Sequence, residues 1–178
     1  ADAAAQALLI AGESKGVTHF ARRMTGKDPV MAMRSAVLLC EHEYTPAITR
    51  LSSQLASKQV PEIFEIDTLT CLSRAGSIRA TELLRGYLSA ATPNEKSLLA
   101  AERLTKLGLS AGISYLQQLV QDSPTTRLKA AMLLASPVEK SGLPLFREVL
   151  AQNSTPLTER AMAVAALAES GELVDLPN

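Results

Sequence analysis

Apolar residues recur along this chain at the three-to-four-residue spacing of amphipathic helices, in short stretches punctuated by glycine and proline. In TPNEKSLLAAERLTKLG, residues 92–108, Leu98, Ala101, Leu104 and Leu107 form one stripe. Beyond its glycine, Tyr115, Leu116, Leu119 and Val120 form another. The pattern predicts a helix, a tight turn and a second, antiparallel helix.

The punctuation is periodic. Pro29, Pro61, Pro93, Pro124 and Pro156 are 32, 32, 31 and 32 residues apart. Asp28, Thr92, Ser123 and Thr155 precede four of them, with Val60 the exception. Asp, Ser or Thr followed by proline suits a helix start, because the side-chain oxygen accepts from free N–H groups and proline at the first position loses no hydrogen bond. Gly76, Gly108 and Gly171 follow their prolines by fifteen residues, and Gly12 fits the same grid. Glycine there closes a helix through the left-handed conformation. Tyr44 and Glu139 take the two remaining slots, with Pro46 and Pro137 close by to stop the helix.

Two positions inside the repeat have a fixed character. The seventh residue after each proline is small: Ala36, Thr68, Ala100, Ala131 and Ala163. The eleventh is apolar: Cys40, Leu72, Leu104, Ala135 and Leu167. Such a helix pair cannot bury its own face, so neighbouring pairs stack into a superhelical array. The expected fold class is all-α, an α-solenoid of about five to six antiparallel helix pairs with a period of about 32 residues. Its units lie near 1–28, 29–60, 61–92, 93–123, 124–155 and 156–178, as a single array. First helices are expected to start near residues 30, 61, 94, 125 and 157.

The proline start, the alanine-rich stacking, the glycine turn and the spaced leucines resemble the short HEAT-like repeat named for phycobilisome lyases. Arg34, Arg127 and Arg160 stand for that family's first-helix arginine, at slightly different offsets. Ankyrin repeats share the Thr-Pro start, but their glycine follows a shorter helix. Tetratricopeptide repeats run longer, with aromatic signposts. The resemblance implies an α-solenoid architecture and leaves activity open.

Charge and composition narrow the function. The 178 residues carry 18 Lys plus Arg against 18 Asp plus Glu, so no bulk charge attracts nucleic acid or an anionic membrane. With no Trp, three Tyr and three Phe, the chain has few aromatics to hold a flipped base. The longest apolar run, AMAVAALA at 161–168, is far short of a membrane span. Cys40 and Cys71 fall on the stacking face and read as core thiols, since stacked helices rarely bring two Cα atoms within bridging reach. Glu41-His42-Glu43 is the one candidate for a metal site of the di-iron HEAT-like kind. A single such pair lacks the convergent ligands, and His42 reads as a cation at a helix C-terminus. No catalytic residue, cofactor or metal is assigned. The cytoplasm is the expected compartment, with a mature secreted or periplasmic chain as the alternative.

The expected function is a non-enzymatic module that binds a peptide or protein on its concave face. The alternatives are a structural spacer in a larger solenoid and a subunit of a lyase-type enzyme. The resemblance implies that second helices line the concave side. Subtracting their apolar stripes (Ile48, Leu51, Leu55; Ala80, Leu83, Tyr87; Gly112, Tyr115, Leu119) leaves three polar ladders. These are Arg50, Glu82 and Ser114; Ser53, Arg85 and Gln117; and Gln54, Gly86 and Gln118. Their polar side chains are the candidate partner-binding residues, suited to an extended peptide. The last unit breaks off at ELVDLPN before a second helix is complete, and the first lacks its proline. Both ends suggest a piece of a longer chain, or self-association through the solenoid ends.

Overall fold

The computed structural model describes residues 2–90, 92–122, 126–135, 140–152 and 155–171. They form eleven α-helices and no strand. The helices are α1 (Asp2–Ile10), α2 (Ser14–Met24), α3 (Pro29–Glu41), α4 (Thr45–Ala56), α5 (Glu65–Arg74) and α6 (Ile78–Gly86) in one compact unit, Ala1–Gly86. The second unit, Tyr87–Asn178, holds α7 (Glu95–Lys106), α8 (Ser110–Asp122), α9 (Arg127–Leu134), α10 (Leu143–Ala151) and α11 (Leu157–Glu169). The expected starts of first helices fall within two residues of α3, α7, α9 and α11. At α5 a 3-10 turn, Glu62–Phe64, comes first and delays the helix to Glu65.

The prolines mark the approach to a helix more often than its first residue. Asp28 caps α3 as expected: its Oδ1 accepts from the N–H groups of Val30 and Met31 at 3.0 and 3.1 Å, with Pro29 at the first position. Thr92 does not cap α7. Asn94, one residue beyond Pro93, accepts from the Ser97 N–H at 2.9 Å, while Ser97 Oγ accepts from the Asn94 N–H at 3.0 Å. This reciprocal capping box satisfies two N–H groups that the first turn leaves free. Pro156 itself takes the cap position of α11, with extended backbone. Proline fixes its own φ and extends the residue before it, so a helix can begin on it or just after it. Ser123 and Pro124 lie outside the described residues.

The turns are uniform. Gly12, Gly76, Gly108 and Gly171 have φ of 75°, 90°, 72° and 77°. At Gly76 the glycine N–H donates to Ser73 O at 3.0 Å and the Ser77 N–H to Leu72 O at 2.9 Å, the paired bonds of a Schellman motif. After α3 the left-handed residue is Glu43, at φ 60°, one place before the expected Tyr44. The Tyr44 N–H donates to Leu39 O at 3.0 Å, so the same closure is made one residue earlier. Glu139 lies outside the described residues.

Small residues set the spacing between helices. The seventh-position residues Ala36, Thr68, Ala100, Ala131 and Ala163 are all fully buried. At the eleventh, Cys40, Leu72, Leu104 and Leu167 are buried and Ala135 half-buried. A further regularity follows each turn. Four residues after the left-handed position stand Gly16, Ala47, Ala80 and Gly112, all buried; four residues later stand Phe20, Leu51, Leu84 and Leu116, also buried. A Cβ on Gly112 would lie 2.5 Å from Ala101 O, and one on Gly16 2.4 Å from the Leu9 nitrogen. The paired helices α7 and α8, like α1 and α2, therefore meet backbone to backbone at their tops and around a large side chain one turn below. This register corrects the expected α6 stripe: Leu84 is in the core, and Leu83 is 43% exposed.

In the second unit Leu98, Ala101, Leu116, Leu119, Ala130 and Leu134 form one core cluster across α7, α8 and α9. Phe146, Val149, Ala163 and Leu167 anchor the other across α10 and α11. The first unit has a covalent tie. Cys40 on α3 and Cys71 on α5 form a disulfide with Cα atoms 5.9 Å apart, both residues buried. This corrects the expectation of free core thiols. The two first helices approach at these positions closely enough to be bridged, since small side chains flank the crossing (Ala36 on α3, Thr68 on α5). Closing a loop of this length adds about 3–4 kcal/mol in the chain-entropy account. At the start of the same unit, Asp2 on α1 accepts from Arg23 and lies 3.3 Å from His19 Nε2 on α2. The hydrogen bond from Arg23 is the main cause that holds the Asp2 carboxyl below its usual range, with His19 helping against some desolvation.

Three glycine-to-alanine variants separate close approach from backbone conformation. Gly112→Ala is expected to cost about 2 kcal/mol through the clash with α7. Gly76→Ala, with open space around its Cβ position, is expected to cost about 1 kcal/mol through its positive φ alone. Gly86→Ala, helical and unobstructed, is expected to be neutral or to stabilise by up to about 1 kcal/mol. Urea denaturation of each variant measures the order, and a Gly112→Ala variant as stable as the parent contradicts the packing described.

Candidate functional site

The proposed ladder residues divide by role. On α4, Arg50 is half-buried, and its Nη1 donates to Met24 O at 2.6 Å, closing the last turn of α2. A guanidinium on the free carbonyls of a helix end satisfies an acceptor and complements the dipole there. Arg50 is thus a brace between helix pairs. Gln54 is half-buried, and its Oε1 is shielded from solvent and accepts no hydrogen bond among the described residues. Ser53 is exposed on α4, as are Glu82 and Arg85 on α6. Ser114, Gln117 and Gln118 are exposed on α8, in the second unit.

Beside the first-unit ladder lies an open groove of about 350 Å³. Its walls come from four consecutive segments. Leu55 projects from the last turn of α4, and Lys58 and Val60 from the connection that follows. Glu62 and Glu65 come from the 3-10 turn and the start of α5, and Arg79 and Leu83 from α6. The connection is bent by Lys58, whose φ is 56°. Val60 precedes Pro61 at the place held by Asp28, the cap of α3, and the chain enters α5 through a 3-10 turn without a side-chain cap. Glu62 of that turn lines the groove.

The groove joins an apolar strip to uncompensated charge. Leu55 and Val60 are half-buried and Leu83 largely open, forming one aliphatic lining. No ion pair or side-chain hydrogen bond within the described residues engages Lys58, Glu65 or Arg79, whereas Glu62 does have a partner. Glu65 stands at the first residue of α5, where the helix dipole favours a carboxylate. Arg79 stands in the first turn of α6, where the dipole opposes a cation.

None of the eight ladder residues lines this groove, although Gln54 and Glu82 each adjoin a lining leucine in sequence. Leu55 and Leu83 were assigned to the core stripe because their spacing fits it, and the one-residue shift in α6 hid Leu83. The signal that could have found the site was Val60, the one apolar residue before a periodic proline, which itself lines the groove. His42 is exposed at the C-cap of α3, and its N–H donates to Cys40 O and Leu39 O. Among the described residues no three His, Cys, Asp or Glu side chains cluster as metal ligands, and no helix is long and apolar enough to cross a membrane. Comparison with protein families, curated proteins and solved structures finds no match.

The brace and the free surface are separable by substitution. Arg50→Ala is expected to lower stability by about 1 kcal/mol through the lost bond to α2. Arg85→Ala is expected to stay within about 0.5 kcal/mol of the parent. Thermal denaturation followed at 222 nm compares them, and equal midpoints would remove the structural role given to Arg50.

Proposed function

We propose that this chain is a non-enzymatic protein-interaction module, a HEAT-like α-solenoid that binds a peptide or protein segment along its second helices. The groove on α4 and α6 carries this reading. Aliphatic side chains that share an open groove with Lys58, Glu65 and Arg79, which have no ion pair among the described residues, are a surface with unspent contacts, and its volume is at the lower end for small-ligand sites. A few residues of an extended segment fit it; a folded domain does not. Ser53, Glu82 and Arg85 are exposed on the same two helices but do not line the groove. Gly12, Gly76, Gly108 and Gly171, at a common turn position, support the repeat on which the solenoid reading depends.

The buried Cys40–Cys71 bridge adds a compartment to the proposal. Structural disulfides persist where the environment is oxidising, so a secreted or periplasmic setting replaces the cytoplasm as the expected one.

Selection from a random peptide library displayed on phage tests the reading. The expected result is enriched peptides that bind the parent at micromolar affinity and lose at least about tenfold on Leu83→Asp, a substitution at an exposed position that leaves the helical spectrum unchanged. Failure to enrich any peptide, or equal binding to the Leu83→Asp variant, would leave the structural spacer as the better account.

A further inference from the structure

The chemistry of the groove narrows what it holds. Its lining contains two cations, Lys58 and Arg79, that no carboxylate within the described residues answers. Of its two anions, Glu62 already has a partner, and Glu65 is favoured where it stands by the N-terminus of α5. Among the described residues the lining thus offers two cations and one carboxylate, Glu65, without an ion pair, a balance on the basic side. Arg79 is the more exposed to this need, since the first turn of its own helix disfavours it. These charges share the groove with the aliphatic side chains of Leu55, Val60 and Leu83.

We infer that the groove recognises a short extended peptide in which aliphatic residues alternate with Asp or Glu. The inference rests on the peptide-binding reading above and specifies the ligand for that site. In an extended peptide successive side chains point to opposite sides. An alternating segment can therefore turn its aliphatic side chains to Leu55, Val60 and Leu83 while its carboxylates face the mouth of the groove. Lys58 and Arg79 line the groove but are exposed, and their long stems let the charged ends reach the carboxylates there. Arg79 offers a planar fork that can hold a carboxylate through two parallel hydrogen bonds, and Lys58 a compact charge on a flexible stem. The aliphatic contacts give affinity that persists in salt; the charge pairs, close to solvent, select acidic over basic segments and weaken as salt rises.

Fluorescence anisotropy on the full chain tests this with three labelled peptides: GSDLDLDGS, GSKLKLKGS and the non-aliphatic GSDSDSDGS. The parent is expected to bind the first at micromolar affinity and at least about tenfold more tightly than either of the others. The double variant Lys58→Glu with Arg79→Glu is expected to reverse the preference, favouring the basic aliphatic peptide. Both positions are exposed, and circular dichroism checks the fold. Should the variant fail to fold, the salt dependence of the parent takes its place: binding of GSDLDLDGS is expected to weaken several-fold between 50 and 300 mM salt. Preference of the parent for the basic aliphatic peptide, abolished by Leu83→Asp, overturns the acidic specificity and leaves peptide binding intact. Equal binding of the two acidic peptides overturns the role of the aliphatic strip. Binding of none, with no peptide enriched from the random library either, ends both readings.

Discussion

Close approach between helices is the constraint on which the rest of this structure depends. Where a side chain stands between two helices, their axes stay about 8–10 Å apart with the crossing set by its bulk; where only hydrogen or a methyl stands there, the backbones can touch. This chain puts a small residue at each such point: Gly16, Ala47, Ala80 and Gly112 after the turns, and Ala36, Thr68, Ala100, Ala131 and Ala163 inside the first helices. Leucine and phenylalanine then fill the space one turn away. With aromatics scarce, packing relies on this alternation of small and large aliphatic residues, as close-packed interiors require. The Cys40–Cys71 bridge is a consequence of the same spacing.

The groove follows from a local departure. The first unit shares left-handed turns and small-residue crossings, and the entry into α5 differs from them. The chain takes a 3-10 turn into α5, and the positive φ of Lys58 bends the connection ahead of it. Leu55, Val60 and Leu83 line one surface, with Leu83 exposed. Regular packing makes the scaffold, and the irregular connection lines part of the groove.

Most of the architecture is legible in the sequence because it depends on local signals. Turn glycines need a left-handed backbone that few other residues accept, so Gly12, Gly76, Gly108 and Gly171 announce themselves. Proline restricts the chain on its N-terminal side, so it locates each helix start to within a few residues but not its cap, as Asn94 shows. The groove was less legible because it depends on register. A shift of one residue in α6 exchanges Leu83 for Leu84, and the two leucines are equivalent to any pattern of polar and apolar letters. Arg50 was misread for a related reason: its partner is a backbone carbonyl at Met24, and a backbone acceptor leaves no trace in residue type. The disulfide was missed because the usual spacing of stacked helices was applied to a crossing closer than usual.

The central claim is that α3 and α5 pack at this close spacing, holding the helix pairs on either side of the groove. Mass spectrometry of the alkylated chain, digested under non-reducing conditions, tests it most directly. The account predicts a single linked species joining the peptides that contain Cys40 and Cys71, with neither sulfur available to alkylating reagent before reduction. Two alkylated cysteines in the folded, air-oxidised protein would contradict it.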